Sequence, residues 1–112
     1  MRYMITIFTD DDARSQWDAD PSVFDDAHRR VFEDLRASGE LVDGNELDPD
    51  DAVVIGTHRG ESVSTRGPFT EGVEIIGGYY IVDVVNRERA VEIAESLGET
   101  RFSPVEVRRL MH

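Results

Sequence analysis

The chain has 112 residues, the size of a single domain, and it contains no cysteine, which excludes disulfides, thiolate metal sites and a cysteine nucleophile. Its 24 acidic residues outnumber its 12 basic residues, and the formal net charge of −12 at pH 7 repels phosphates and anionic lipids. We therefore expect one domain over residues 1–112, with no nucleic-acid partner and no membrane partner. The first apolar stretch is too short to cross a membrane and no signal-peptide pattern precedes it, so a cytoplasmic protein is expected.

The N-terminal segment predicts a strand at Arg2–Thr9, because its composition and alternation are typical of one. Apolar side chains occupy both faces of this strand, with Tyr3, Ile5 and Ile7 on one face and Met4 and Phe8 on the other. An acidic run ends the strand, and the segment that continues through Trp17 is expected to be a loop.

The first helix is predicted to begin at Pro21 with Asp20 as its N-cap, because proline is favoured at the first helical position. It is predicted to end at Gly39, a residue type that commonly ends helices. Its apolar residues recur at helical spacing and are Phe24, Ala27, Val31 and Leu35.

The rest of the chain predicts four strands and a second helix. In chain order they are a strand at Glu40–Leu47, a hairpin of Ala52–His58 and Glu61–Arg66, a strand at Tyr79–Val85, a helix from the N-cap Asn86 to Gly98, and a strand at Pro104–Leu110. The order βαβ, hairpin, βαβ predicts an α+β fold with a ferredoxin-like antiparallel sheet and both helices on one face.

Two helices cover only one face of such a sheet, yet two of its strands carry apolar residues on both faces. Large exposed apolar patches are uncommon on monomers, so the second face is expected to be covered. Packing of two copies about a two-fold axis covers it with the least additional structure. We therefore predict a homodimer.

The segment between the hairpin and the next strand, Arg66–Gly78, combines several residue types with distinct structural or chemical roles. It joins a glycine–proline turn, two carboxylates and a glycine pair. An ordinary connection between strands needs nothing so elaborate, so we interpret the segment as part of a built site, although its residue types alone do not say what it binds.

Together with the order of the predicted elements, this segment makes the chain resemble the YCII-related (DGPF-domain) family of small bacterial proteins over nearly its whole length. The resemblance rests on RYMITIF at the N-terminus, GELV after the first helix, GPF-x-E-x-x-E-x-x-GG at residues 67–78 and VEVRRL near the C-terminus. It implies a dimeric α+β barrel of ferredoxin-like subunits. It also implies a functional histidine on the first helix, matched here by His28, that works with an aspartate in a cleft.

His28 also stands out from the residues alone. At about 100° per residue it falls inside the apolar stripe of the first helix and should point at the sheet. One interpretation is a core histidine satisfied by a hydrogen bond, and the other is a general base. A catalytic histidine needs an orienting partner, and the candidates by topology are Asp43 on the following strand and Asp48 just beyond it.

The candidate ligand-binding residues are Arg66, Phe69, Glu71, Glu74 and Tyr79. Glu71 and Glu74 could bind a cation or divide acid and base roles, although a purely structural pairing with Arg66 is the plainer interpretation. Tyr79 and Tyr80 point to opposite faces of a strand, so one should be core while the other lines a cleft. The histidines lack zinc spacing and the acidic runs lack EF-hand spacing, so no metal site is predicted.

These features favour a small-molecule enzyme that uses a His-Asp pair for proton transfer. Isomerisation, elimination or hydrolytic dehalogenation of a small compound, for example an aromatic or phenolic one, would need no cofactor. The alternative is a non-catalytic ligand-binding or regulatory dimer. Arg66 favours this alternative, because it replaces the aspartate that the family carries before GPF, and an arginine is a poor proton shuttle near neutral pH.

Overall fold

The computed structural model describes residues 1–58, 60–66, 75–101 and 103–112. For residues 11, 13, 17, 23, 24, 58, 61–66, 99 and 101 it describes the backbone alone. The elements are β1 (Arg2–Thr9), α1 (Asp11–Ala19), α2 (Pro21–Ser38), β2 (Leu41–Glu46), β3 (Val53–His58), β4 (Glu61–Arg66), β5 (Ile75–Asp83), α3 (Arg87–Glu95), a 3-10 turn (Gly98–Arg101) and β6 (Val105–Arg109).

Four of the strands form one antiparallel sheet in the order β2-β5-β1-β6, and β3 and β4 form a separate hairpin. The α+β fold with an antiparallel sheet is therefore confirmed. Val53 and Ile55 in the hairpin are 65% and 77% exposed, so the hairpin contributes little to the core. In the described part of the chain, no helix is long and apolar enough to cross a membrane.

The core lies on one face of the sheet, where α2 and α3 contribute to the same buried cluster. Tyr3, Ile5 and Ile7 of β1 are at most 7% exposed, as expected for alternate residues that share the covered face. Leu35 of α2 is 2% exposed, and Val31 and Phe32 pack against the cluster. The predicted helical stripe is thus confirmed where side chains are described.

The ends of α2 and α3 follow the predicted signals. Pro21 occupies the first turn of α2, and Gly39 after its last turn takes the left-handed conformation with a φ of 80°. Asp20 precedes the helix as predicted but makes no capping hydrogen bond with its side chain. The side chain of Asn86 accepts from the backbone N–H of Arg89 at 2.9 Å, so the predicted N-cap of α3 is confirmed.

An ion pair fixes α3 against the start of β2. Arg89 donates two hydrogen bonds to Glu40, at 2.9 and 2.8 Å, and its third contact is with Glu92. The bidentate bonds from the guanidinium lower the pKa of Glu40, since they stabilise the ionised carboxylate.

The prediction of a loop through Trp17 is wrong, because residues 11–19 form α1. The backbone N–H of Arg14 donates to the carbonyl of Asp10 at 2.9 Å, which closes the first turn. The acidic residues that suggested a strand terminus are also favourable in the first turn of a helix, where the dipole is positive. The segment shows no long apolar period, so periodicity gives no signal for it.

The strand predicted at Tyr79–Val85 begins four residues earlier, at Ile75, and ends at Asp83. Ile75 and Ile76 pair with Thr9 and Phe8 of β1, and a register shift follows between Ile7 and Phe8. The glycine pair therefore lies inside β5 rather than before it, which matters for the cavity described next.

Candidate functional site

A cavity of about 490 Å³ opens where α1 and α2 meet the sheet. Its walls come from both helices, from the end of β1, from β2 and the turn after it, from β5 and from Ser103 before β6. The volume falls within the range of about 300–1,000 Å³ that is usual for small-molecule sites. The cavity can therefore accommodate a small organic compound.

Two ionisable side chains meet at the wall of this cavity. The hydroxyl oxygen of Tyr80 lies 2.6 Å from Nδ1 of His28, and the two rings stack with centroids 5.8 Å apart and planes inclined by 10°. Tyr80 is only 5% exposed, whereas His28 is half-buried on α2. The pair is thus held in the structure while remaining in contact with the cavity.

Which of these two groups donates depends on the tautomer of the His28 ring. An N–H donor usually stands about 2.7–3.2 Å from an oxygen acceptor, while hydroxyl donors approach more closely. The separation of 2.6 Å matches the shorter, hydroxyl-donor contact, in which Nδ1 of His28 accepts from Tyr80. In this arrangement the ring proton of His28 resides on Nε2.

Helix spacing and strand register bring the pair together. His28 and Phe32 are four residues apart on α2, so both lie on the helical face that meets Tyr80. The Phe32 and Tyr80 rings are 6.2 Å apart and inclined by 53°. Within the sheet, Tyr80 pairs with Ile5 on one side and Gly44 on the other, which fixes the position of its backbone.

The charged lining of the cavity is mainly acidic. Among the described residues, Asp18, Asp25 and Glu46 line it together with Arg14. Asp25 is three positions before His28 on α2, so the two residues lie on the same side of the helix. Within the described residues, no group of three histidine, cysteine, aspartate or glutamate side chains is arranged to hold a metal ion.

Comparison with known families identifies the relatives of this chain. The family model of the YCII-related domain matches residues 1–112. The chain belongs to the YCII-related domain family. The match confirms the resemblance drawn from the sequence, over the whole chain. The comparison with curated proteins found no match.

In this YCII-related domain, the side chain of Asp43 lies on the face of the sheet opposite to His28 and makes its hydrogen bonds there. One carboxylate oxygen accepts from the Tyr79 hydroxyl at 2.9 Å, and the other accepts from the backbone N–H of Gly44 at 2.8 Å. Tyr79 belongs to the cavity wall, but its hydroxyl is directed to Asp43. The hydrogen bond to Asp43 raises the pKa of Tyr79, because ionisation would break it and place two negative charges together.

Asp48 takes part in the turn after β2. Its carboxylate accepts from the backbone N–H of Asp50 at 2.9 Å, a local turn-stabilising bond. The neighbouring Pro49 lines the cavity, so Asp48 lies near its edge. A role for Asp43 or Asp48 as the partner of His28 stays a prediction.

Most of the candidate ligand-binding residues come from the segment 66–78. Phe69, Glu71 and Glu74 lie outside the described residues. Arg66 ends β4 opposite Val53, and only its backbone is described.

Tyr80, Arg14 and Ser103 are among the residues of the cavity wall that sequence reasoning did not select. Tyr80 was one of two alternatives, and period-two alternation could not say which tyrosine faces α2. Arg14 lay in a segment predicted as a loop. Ser103 carried no motif, yet it is 8% exposed and its hydroxyl has no hydrogen-bond partner among the described residues.

The assignment of Asp43 to Tyr79 can be tested by Asp43→Ala. Loss of the carboxylate removes both the hydrogen bond and the adjacent negative charge, so Tyr79 should ionise at lower pH than in the wild type. Ring-carbon NMR of labelled tyrosine follows this transition, and Tyr79→Phe identifies the signal. An unchanged Tyr79 transition accompanied by a large shift of the His28 ring resonances would assign Asp43 to His28 instead.

Proposed function

We propose that this YCII-related protein is a small-molecule enzyme that catalyses proton transfer, with Tyr80 and His28 as its acid–base pair. The observation that carries the proposal is the 2.6 Å hydrogen bond between the two side chains at the wall of the cavity. A hydroxyl hydrogen-bonded to an imidazole is the arrangement that activates weak acids for proton transfer.

The proposed step moves two protons. Tyr80 donates its hydroxyl proton to Nδ1 of His28 while its oxygen accepts a proton from the substrate, leaving neutral tyrosine, an imidazolium and a substrate anion. Reversal of the step at another substrate atom returns the proton and completes an isomerisation. Departure of a leaving group from the anion would instead give an elimination.

The surroundings support the charge that this step creates. The imidazolium is created on His28, which lies one helical turn from Asp25. Asp18 and Glu46 line the same cavity. Phe32 and Tyr80 supply aromatic surface for the apolar part of a substrate. Isomerisation, elimination and hydrolytic dehalogenation of a small compound all fit such a site.

The proposal is tested by deuterium exchange into activated carbon acids, such as acetylacetone and ethyl acetoacetate, followed by proton NMR in deuterium oxide. The wild type should accelerate exchange above buffer. Tyr80→Phe and His28→Gln should each lower the enzymatic rate by about 100-fold or more, the usual size of an acid–base contribution.

The matched controls are Tyr3→Phe, which removes a hydroxyl from a buried core tyrosine, and His112→Gln at the exposed C-terminus. Both should retain the wild-type rate. Full exchange in Tyr80→Phe or His28→Gln would refute the acid–base assignment. Saturable ligand binding without any exchange would favour the alternative, a ligand-binding or regulatory protein.

We also propose that the chain forms a homodimer of ferredoxin-like subunits through the uncovered face of the sheet, as in a dimeric α+β barrel. The strand order β2-β5-β1-β6 supports the ferredoxin-like description. Met4, Phe8 and Ile81 lie on the face opposite the helices and remain only partly buried, and Ile76 beside them is 49% exposed. Such a surface is favourable to cover.

The dimer is tested by sedimentation equilibrium with Ile81→Glu. The wild type should sediment at twice the chain mass of 12.6 kDa, and a charge in the centre of the uncovered face should give monomers. Val91→Glu, on the outer side of α3, is the control and should remain dimeric. A monomeric wild type, or a dimer that survives Ile81→Glu, would contradict the proposal.

A further inference from the structure

We propose that Gly44 is a positioning residue for the acid–base pair: the absence of its side chain leaves the space in which the Tyr80 ring must lie to reach His28. The catalytic purpose of this arrangement rests on the proposed function, whereas the geometric claim does not depend on it. Gly44 itself has no group that could take part in proton transfer.

The space beside Gly44 is fully used by its neighbours. A Cβ atom at this position would lie 3.1 Å from Cδ1 of Tyr80, 3.3 Å from Cε2 of Phe32 and 3.3 Å from the carbonyl oxygen of Tyr79. Ordinary contacts of this kind are longer, so a methyl group would have to displace one of these atoms. Both aromatic rings of the site therefore occupy the space into which a side chain at position 44 would project.

Backbone conformation does not explain a glycine here. The glycines with positive φ among the described residues are Gly39, Gly56 and Gly60, so any residue type could adopt the backbone of Gly44. A glycine inside a strand instead marks close approach of another group. At Gly44 the approaching group is the tyrosine that bonds to His28.

The Tyr80 ring cannot make room for an added atom without disturbing its contact with His28. It is 5% exposed, it is stacked on His28, and Phe32 covers another side. Gly44 and Tyr80 are direct partners in the β2–β5 ladder, so the strands cannot separate without loss of backbone hydrogen bonds. In a close-packed interior the added methyl group must tilt the ring, and the hydroxyl at its far end moves with it.

The experiment is nitrogen NMR of the His28 ring, which reports directly on the hydrogen bond at Nδ1 and needs no substrate. Tyr80→Phe defines the signal of Nδ1 without its donor. Gly44→Ala should move the Nδ1 resonance in the same direction and by a large part of that shift. A wild-type Nδ1 resonance in folded Gly44→Ala would overturn the proposal.

Gly77→Ala is the matched control. Its Cβ would meet its nearest atom at the same distance of 3.1 Å, but that atom is Cγ2 of Thr9 rather than an atom of Tyr80. It should leave the Nδ1 resonance at its wild-type position. A shift as large as that of Gly44→Ala would attribute the effect to general crowding of the sheet and contradict a specific role for Gly44.

If Gly44→Ala alone does not fold, Gly44→Ala/Phe32→Leu relieves the crowding against Phe32 while the crowding against Tyr80 remains, and Phe32→Leu becomes its reference. The same displacement of the Nδ1 resonance is expected between the double and the single variant, and identical spectra would overturn the inference.

A displaced Nδ1 resonance in Gly44→Ala together with no deuterium exchange in the wild type would refute the proposed function and leave the positioning role intact. Deuterium exchange by the wild type together with an undisplaced Nδ1 resonance in Gly44→Ala would overturn the positioning role and leave the proposed function intact.

Discussion

The register of the central strands is the constraint on which the site depends. β5 is held between β2 and β1, so Tyr80 has Gly44 on one side and Ile5 on the other. This register turns Tyr80 toward the helices and Tyr79 toward the opposite face. A slip by one residue would exchange the two tyrosines and leave His28 without its hydroxyl partner.

The sheet is filled under α3, whereas a cavity opens where α1 and α2 meet it. Under α3 the core is filled by Ala90, Ile93, Ala94 and Leu97, each at most 4% exposed. Where α1 and α2 meet the sheet, β2 and β5 instead present Gly44, Gly77 and Gly78 to the cavity. The space beside each of these glycines is taken by neighbouring atoms, and His28 and Tyr80 line the cavity next to them.

The sequence predicted features that depend on local signals. Pro21, Gly39 and Asn86 marked helix ends through backbone chemistry, and the apolar stripe of α2 correctly placed His28 toward the sheet. The partner of His28 was beyond such reasoning, because it depends on which strand lies beneath α2 and in which register. α1 was missed because its short segment lacks a periodic apolar face, and with it the contribution of Arg14 to the cavity was missed.

The central claim is that the Tyr80 hydroxyl donates a hydrogen bond to Nδ1 of His28 in the resting protein, and a neutron crystal structure near neutral pH tests it most directly. We predict a deuterium bonded to the Tyr80 oxygen and directed at Nδ1 of His28, with a second deuterium on Nε2. A deuterium on Nδ1 directed at the tyrosine oxygen would contradict the account, as would a separation of the two groups beyond hydrogen-bond distance.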